Sequence, residues 1–216
     1  MKPSETMNAR LRRNRDKILR AAEKVFLNYG FRGSNLDEVA EVAGVSKQTV
    51  YAHFKSKREL FIAVISAMTG EAADEHRSRI ESPTEHGPVD SYLTKYAFEL
   101  LSVVLTPRLL RLRRLVIGEA ERFPGLGEAL YRNGPASSIA RLTKYFEERA
   151  ARGELMIHDP QAAATYFNWI VMGAPTNQAM MLGDKSVPKP KELQKHVVES
   201  VRIFLAAYGP NIPKLR

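Results

Sequence analysis

The chain has 216 residues, of which 44% are apolar, so it is long enough to bury a core and too apolar to be disordered as a whole. It contains no cysteine, which excludes disulfides, thiolate metal sites and thiol nucleophiles and favours a reducing cytoplasm. The first residues lack the apolar stretch of a secretory signal, and no apolar run approaches the roughly 18 residues that a membrane helix needs.

The net charge of +9 is concentrated near the N-terminus. Residues 1–60 hold 13 lysines and arginines against 7 acidic residues, whereas the rest of the chain holds 20 against 17. A basic head on a nearly neutral body indicates a surface for a polyanion such as nucleic acid. Charge alone leaves open a basic surface that only keeps the protein soluble.

The first predicted helix covers about residues 12–29 and should end at Gly30, a residue suited to a C-terminal cap. Apolar residues recur along it at three- and four-residue steps, which places one stripe on one face. The members of this stripe are Ile18, Ala22, Val25, Phe26 and Tyr29. A short second helix is predicted at about 36–43, with Ser34 or Asn35 as its N-cap.

Gly44 separates this second helix from a third short helix at about 46–54, which Ser46 can cap. Ser56 and Glu59 have the spacing of a capping box, so a fourth helix is expected to begin there. Two short helices joined by a glycine turn behind a longer helix form a helix-turn-helix unit. Its expected core consists of Ile18, Ala22, Phe26, Leu36, Val39, Ala40, Val45, Val50 and Phe54.

The remainder of the chain also has the pattern of helices, separated by proline and glycine clusters. A loop is predicted at 82–88, followed by helices at about 89–105, 107–122, 124–132, 135–152, 160–182 and 191–208. No segment alternates apolar and polar residues as a strand does, so the predicted fold class is all-α. The expected division is a basic arm at 1–11, a helix-turn-helix domain at 12–60 and a helical ligand-binding and dimerisation domain at 61–216.

The outward face of the third helix carries side chains that can read a DNA major groove. Lys47 can donate to guanine, Gln48 can pair with adenine, and Thr49 offers a hydroxyl or a methyl group. Tyr51 and His53 can reach phosphates, and Lys57 lies beside the start of the fourth helix, where an anion is favoured. Taken singly, each can instead be a solvated lysine, a core-edge aromatic or a packing histidine.

The stretch from Ile18 to Phe61 contains Ala-Gly-Val-Ser, Tyr-x-His-Phe and Lys-x-x-Leu-Phe elements and resembles the DNA-binding domain of the tetracycline-repressor (TetR) family. The resemblance implies a homodimer whose third helices enter successive major grooves of a near-palindromic operator. The residues that it implicates in DNA contact are Ser34, Asn35, Ser46, Lys47, Gln48, Thr49, Tyr51, His53 and Lys57. The arm around Arg10–Arg15 is either a further DNA contact or a disordered basic tail.

The resemblance further implies a C-terminal domain that binds a small effector and dimerises through its last two helices, about 160–182 and 191–208. The first of these is apolar almost all round, so we expect it to be buried by its own subunit on one side and by a partner on the other. The stretch Arg114–Pro124 is similar to the AefR-like subgroup. Ligand entry is expected to move the fourth helix and change the spacing of the recognition helices.

Candidate pocket residues are apolar or aromatic and lie at helical spacing, and ordinary core packing is the alternative for each. They are Phe98, Leu101, Leu105, Leu115, Tyr145, Phe167, Trp169 and Met172. The histidines at 76, 86, 158 and 196 are scattered, without metal-ligand spacing, and no phosphate loop or nucleophile elbow is present. We therefore predict no enzyme, no metal and no cofactor, and a ligand-responsive repressor; an effector-free or architectural DNA-binding protein is the alternative.

Overall fold

The computed structural model describes residues 3–80 and 87–210, with side chains for residues 8–80 and 87–210, and this part of the chain is helical throughout, without strands. The all-α prediction is therefore confirmed. The helices are α1 Pro3–Gly33, α2 Leu36–Ala43, α3 Lys47–His53, α4 Lys57–Ile80, α5 Val89–Val104, α6 Pro107–Ala120, α7 Pro124–Tyr131, α8 Ser137–Ala151, α9 Pro160–Leu182 and α10 Pro190–Tyr208. A π-helical turn, Arg132–Ala136, precedes α8, and a 3₁₀ turn, Asp184–Ser186, precedes α10. The loop predicted at 82–88 lies outside the described residues, apart from its last two.

Contacts divide the chain into two compact units. The first unit holds Met1–Gly70 together with Arg111–Tyr131, and the second holds Glu71–Leu110 together with Arg132–Arg216. The first unit therefore contains α1–α3 and also α7, a helix distant in sequence.

Aromatic rings form the centre of the first unit. Phe26 and Phe61 are fully buried with their ring centroids 4.6 Å apart, and Phe31 stacks on Phe61 at 5.3 Å. Phe123, just before α7, meets Phe31 edge-on at 5.0 Å. The segment Arg111–Tyr131 thereby completes the core behind the helix-turn-helix, which sequence periodicity alone does not reveal.

Gly30 interrupts α1 with φ 76° and ψ 172°, a conformation that side-chain-bearing residues avoid. The predicted break at Gly30 is thus observed, although helical turns resume to Gly33. Tyr29, the last member of the predicted apolar stripe, does not share the burial of the others, because its side chain is 58% exposed. The chain turns at Gly30 and brings Phe31 onto Phe26 and Phe61, so Phe31 takes the core position.

The second unit is built around a cluster on α8, α9 and α10. Phe146 stacks on Phe204 at 4.9 Å, and Phe167 packs edge-on against Phe204 at 5.0 Å. Each of these three side chains is at most 1% exposed. Asp159 caps α9 by accepting from the Ala162 N–H at 2.9 Å, as predicted for a helix that begins at Asp159-Pro160.

Candidate nucleic-acid interface

The turn between α2 and α3 is fixed by its caps. Asn35 accepts from the Glu38 N–H at 2.8 Å and begins α2. Gly44 ends α2 in the left-handed conformation, at φ 64°. Ser46 then begins α3 by accepting from the Thr49 N–H at 3.1 Å, and the two hydroxyl oxygens lie 2.8 Å apart. Both N-cap predictions are observed, and together they set the direction of α3.

Helix α3 has one buried side and one exposed side. Val50 is fully buried, and Phe54, just after the helix, is 2% exposed. Lys47, Gln48 and Tyr51 are exposed on the opposite side. Thr49 and His53 are partly exposed at its borders, as is Val45 in the preceding turn. The structure thus leaves free a row of donors and acceptors at the start of α3, the arrangement that major-groove reading needs.

Two predicted contact residues have intramolecular partners. The Lys47 ammonium lies 2.8 Å from Asp37, and that hydrogen bond raises the pKa of Lys47 above its usual value. Both side chains are well exposed, so the pair is open to exchange with a phosphate or base. Lys57 donates to the Ser34 carbonyl at 2.8 Å and lies over the Phe31 ring at 4.9 Å, which places its charge where α1 ends.

Ser34 faces inward. Its side chain is 4% exposed, and its hydroxyl donates to the Phe31 carbonyl at 2.9 Å. A DNA contact from this residue has to come from its main chain. The fourth helix has its expected start, because Ser56 accepts from the Glu59 N–H at 3.1 Å. The Glu59 carboxylate, however, accepts from the Lys55 N–H at 2.9 Å rather than from Ser56.

One contact near the interface was not predicted from the sequence. The Arg15 guanidinium lies over the Phe54 ring, 5.4 Å from its centroid, and ties α1 to the end of α3. Arg15 belongs to the basic run of the predicted arm, which is helical from Pro3 onward. Residues 1 and 2 of that arm lie outside the described residues. Only the run of arginines signals such a contact in the sequence.

Seven of the eight predicted pocket residues lie in the second unit. Leu101, Leu105, Phe167 and Met172 are buried in the second unit, while Phe98 and Tyr145 are half-buried. Trp169 is 41% exposed on α9. Leu115 belongs to the first unit, where its Cδ1 lies 3.8 Å from the position that a Cβ on Gly30 would take. Leu115 thus packs against α1 at the Gly30 turn.

The surface of the second unit has a shallow polar groove of about 400 Å³ between α5 and α10. Phe98 is the one predicted pocket residue that lines it, beside Thr94, Glu99 and Gln194. Among residues 3–80 and 87–210, no group of three or more histidine and carboxylate side chains is placed to hold a metal ion. None of the helices described there combines the length and hydropathy that crossing a bilayer requires.

A glycine-turned helix pair with a polar, exposed second helix defines a protein of the helix-turn-helix class. Comparison with known proteins specifies the family: residues 18–64 match the model for bacterial regulatory proteins of the tetR family. Residues 91–210 match the C-terminal domain of AefR-like transcriptional repressors. The chain belongs to the TetR family, with an AefR-like C-terminal domain, and the resemblance seen in the sequence is confirmed.

Solved structures share this architecture over nearly the whole chain. A TetR-family transcriptional regulator from Mesorhizobium loti MAFF303099 is 34% identical with a TM-score of 0.83, over 93% of this chain and 98% of that one. The Flavonoid-responsive Regulator FrrA is 30% identical with a TM-score of 0.79, over 92% and 98%. These are transcription regulators, which confirms the prediction that the chain is not an enzyme.

The transcriptional activator FasR of Mycolicibacterium smegmatis (strain ATCC 700084 / mc(2)155) is 36% identical over 72 residues. That alignment covers 33% of this chain and 33% of FasR. The chain thus matches only a third of FasR's length.

Proposed function

We propose that this protein is a homodimeric, effector-responsive transcriptional repressor of the cytoplasm that holds a near-palindromic operator through α3 of each protomer. The main support for the proposal is that α3 has one buried and one exposed side. Val50 is fully buried, whereas Lys47, Gln48 and Tyr51 are exposed. Family membership supports DNA as the partner, and the AefR-like repressor match supports repression. Two recognition helices of a dimer reach successive major grooves when they lie about 34–36 Å apart.

The contacts divide by chemistry between bases and backbone. Lys47 and Gln48 stand at the start of α3, the part of a recognition helix that reaches base edges, and Thr49 adds a methyl group. Tyr51, His53, Lys57 and the main chain at Ser34 and Asn35 are assigned to phosphates. Arg15 joins this second group, because its contact with Phe54 holds a cation beside the end of α3.

Replacing Gln48 with alanine tests the base contact. Gln48 is exposed and makes no packing contribution, so Gln48→Ala should leave the melting temperature unchanged. It should weaken operator binding by about 1–3 kcal/mol and relax preference at one base position. Gln161→Ala, an exposed glutamine of α9, is the matched control and should bind like the parent. If Gln48→Ala kept the affinity and the selectivity of the parent, Gln48 would not contact a base and the assignment of α3 as the recognition helix would be contradicted.

The phosphate contacts are tested by the salt dependence of binding. Lys57→Ala should weaken binding to all sequences alike and lower the slope of log affinity against log salt by about one unit. Because Lys57 also caps α1, the variant's melting temperature is measured in parallel. A changed base preference with an unchanged slope would contradict the phosphate assignment.

Exposed apolar side chains on α9 and α10 support the dimer. On α9, Tyr166 is 58% and Trp169 41% exposed, on the side opposite buried Phe167 and Val171. On α10, Val198 is 51% and Ile203 45% exposed. The exposed Glu199–Arg202 pair lies between them on α10, so the apolar area is larger on α9. Exposed apolar side chains on both helices match a bundle formed with the same two helices of a second protomer.

Trp169→Glu should therefore convert the dimer to a monomer in sedimentation or light-scattering measurements, since a charge would be buried in the interface. Met156→Glu, at a side chain with 56% exposure outside both helices, is the matched control and should remain dimeric. A monomeric parent protein, or a dimeric Trp169→Glu variant, would refute this interface.

The small-molecule effector is supported by the size of the second unit and by the likeness to FrrA, a flavonoid-responsive regulator. A ligand that binds only the folded protein raises its melting temperature. A melting scan with apolar and aromatic compounds, flavonoids among them, should find ligands that also release operator DNA. Stabilisation by none of them, with operator binding intact, would favour the effector-free regulator.

A further inference from the structure

A cluster of polar and aromatic side chains joins α4, α5 and α8 inside the second unit. The His76 ring meets Tyr96 edge-on at 4.7 Å, and the Tyr96 hydroxyl lies 2.8 Å from the Ser138 hydroxyl. Arg141 and Tyr145 follow Ser138 along α8 at helical spacing, and Tyr145 stacks on Tyr92 at 4.2 Å. We call these residues the α4–α5–α8 cluster: His76, Tyr92, Tyr96, Ser138, Arg141 and Tyr145.

His76 contributes a hydrogen-bond acceptor that has no donor. Its side chain is 1% exposed, and Nε2 lies 3.0 Å from the Tyr96 carbonyl oxygen, so Nε2 must carry the proton. Burial lowers the pKa of His76, and the neighbouring Arg141 lowers it further, which favours the neutral ring. Nδ1 is then a buried lone pair, and no described residue donates to it.

Arg141 and Tyr145 each also have a buried polar atom without a hydrogen-bond partner. The buried Arg141 Nε has no acceptor in the described part of the chain, although the Arg141 side chain forms a hydrogen bond with the Tyr96 hydroxyl through its other nitrogens. No carboxylate described here pairs with Arg141, in contrast to Arg149, which is bonded to Glu154 at 2.5 Å. The Tyr145 hydroxyl is also buried, and no residue among 8–80 and 87–210 meets it in strict hydrogen-bonding geometry, although the Arg149 guanidinium lies over the Tyr145 ring at 5.0 Å.

Three unpartnered buried groups in one cluster are costly, since each has given up its hydrogen bonds to water without gaining a replacement. His76 requires a donor, Arg141 an acceptor of negative charge, and Tyr145 accepts either role. The three groups are surrounded by aromatic rings, since Tyr92 stacks on Tyr145 and Tyr96 meets His76 edge-on, and such surroundings favour an aromatic ligand.

We propose that the α4–α5–α8 cluster is the effector's recognition site and that it takes a planar phenol bearing an acidic or strongly polarised oxygen. The phenol hydroxyl donates to His76 Nδ1, the acceptor oxygen receives the Arg141 N–H, and Tyr145 completes the hydrogen bonds. The assignment rests on the proposed function for its effect on DNA, but the binding chemistry stands on the cluster alone. Ordered water that satisfies the same three groups is the competing explanation.

Three probes of similar size separate these chemistries. 4-Hydroxycinnamate carries both groups, cinnamate lacks the phenol hydroxyl, and 4-propylphenol lacks the carboxylate. Calorimetry on the intact dimer should show that 4-hydroxycinnamate binds about tenfold or more tighter than either of the others, since each lost bond leaves a buried group unpaired. Equal affinity for all three, or no binding in the millimolar range, would overturn the assignment.

Conservative variants identify the residues. His76→Gln keeps a donor near the Nε2 position and removes the Nδ1 lone pair, so it should abolish the preference for 4-hydroxycinnamate over cinnamate. Arg141→Met should abolish the preference over 4-propylphenol. The matched control is Arg77→Met, at an exposed arginine of α4, which should bind all probes like the parent.

Tyr145→Phe distinguishes a site that binds a ligand from a site that is filled by ordered water. It should weaken 4-hydroxycinnamate about tenfold and leave the melting temperature of the ligand-free protein unchanged or higher, because the hydroxyl has no partner to lose. A lower melting temperature of the ligand-free variant would mean that bound water or protein satisfies the hydroxyl, and it would overturn the proposal.

Operator release is measured separately with the same probes. Tight 4-hydroxycinnamate binding without release of DNA would leave the site in place and refute effector control. Release by other compounds, with no binding of 4-hydroxycinnamate, would leave effector control in place and refute this site.

Discussion

The two compact units differ in how they treat buried polar groups. In the first unit, Ser34 and Thr69 are buried, and each donates to a nearby main-chain carbonyl, at 2.9 and 2.7 Å. In the second unit, His76, Arg141 and Tyr145 keep buried atoms without partners among the described residues. Among the described residues, the first unit therefore leaves no buried side-chain nitrogen or oxygen atom without a partner, whereas the second leaves three. Four measurements test this difference between the units.

The largest effect is expected from opening the aromatic centre of the first unit. Phe61→Ala should lower the free energy of unfolding by about 3–5 kcal/mol, because Phe61 is fully buried between Phe26 and Phe31. Chemical denaturation measures the loss, and operator binding should fail with it. Tyr29→Ala, at an exposed ring of the same unit, should change stability by less than about 0.5 kcal/mol. A similar loss in both variants would show that the rings do not form a closed core.

The second effect concerns the backbone of the first unit. Gly30→Ala should destabilise by about 1–3 kcal/mol, because φ 76° with ψ 172° is a region that only glycine occupies readily. Gly118→Ala is the matched control, since Gly118 is helical and exposed and a Cβ there meets no atom within 4 Å. That control should stabilise by about 0.5–1 kcal/mol. Equal shifts in the two melting curves would contradict the special role of Gly30.

The third effect compares a hydrogen-bonded tyrosine hydroxyl with an unbonded one inside the second unit. Tyr96→Phe removes a hydroxyl bonded to Ser138 and leaves a buried partner unpaired, so the free energy of unfolding should fall by about 1 kcal/mol. Urea denaturation of this variant beside Tyr145→Phe compares a bonded hydroxyl with an unbonded one. If Tyr96→Phe proves as stable as the parent, the hydrogen bond to Ser138 contributes nothing to the fold.

The smallest effect is a pH dependence from His76. Its folded pKa is lowered below the ordinary 6.5, mainly by burial, with Arg141 and Arg79 adding to the shift and the Tyr96 carbonyl and Glu99 opposing it. The contribution of His76 to the free energy of unfolding is therefore present above pH 6.5 and is lost as the pH falls below that value. The loss occurs because His76 is protonated more readily in the unfolded chain than in the folded protein. The loss by about pH 6 should be under about 1 kcal/mol. Urea unfolding at several pH values should show a flatter profile for His76→Gln, and identical profiles would contradict the lowered pKa.

Helix positions were largely predictable, because local residues determine them. Gly44, Ser46 and Asp159 stand at helix ends in both the pattern and the structure. Tyr29 belongs to the apolar stripe but is exposed, because the chain turns at Gly30 and Phe31 is buried instead, and helical periodicity does not reveal such a turn. The exposure of Gln48 follows from the period of α3, whereas the inward turn of the Ser34 hydroxyl depends on one local hydrogen bond.

The α4–α5–α8 cluster escapes sequence reasoning for a different reason. His76 and Tyr96 are separated by a loop predicted at 82–88, and Tyr96 and Ser138 by more than two helices. Single histidines and tyrosines carry no spacing signal, and their meeting depends on how whole helices pack. Leu115 illustrates the same limit, because its helical position suggested a pocket while its contact is with the turn at Gly30.

The composition of the first unit has a consequence for engineering. Because Phe123 and α7 close the core behind the helix-turn-helix, a DNA-reading module cut from this chain after α4 would lack one wall. Hybrid regulators that graft a foreign sensor at that junction would inherit a mismatched surface against Phe31. A workable graft has to carry Arg111–Tyr131 along with the head, as a two-piece transplant. During synthesis, the core of the first unit can likewise be completed only after Arg111–Tyr131 has been translated.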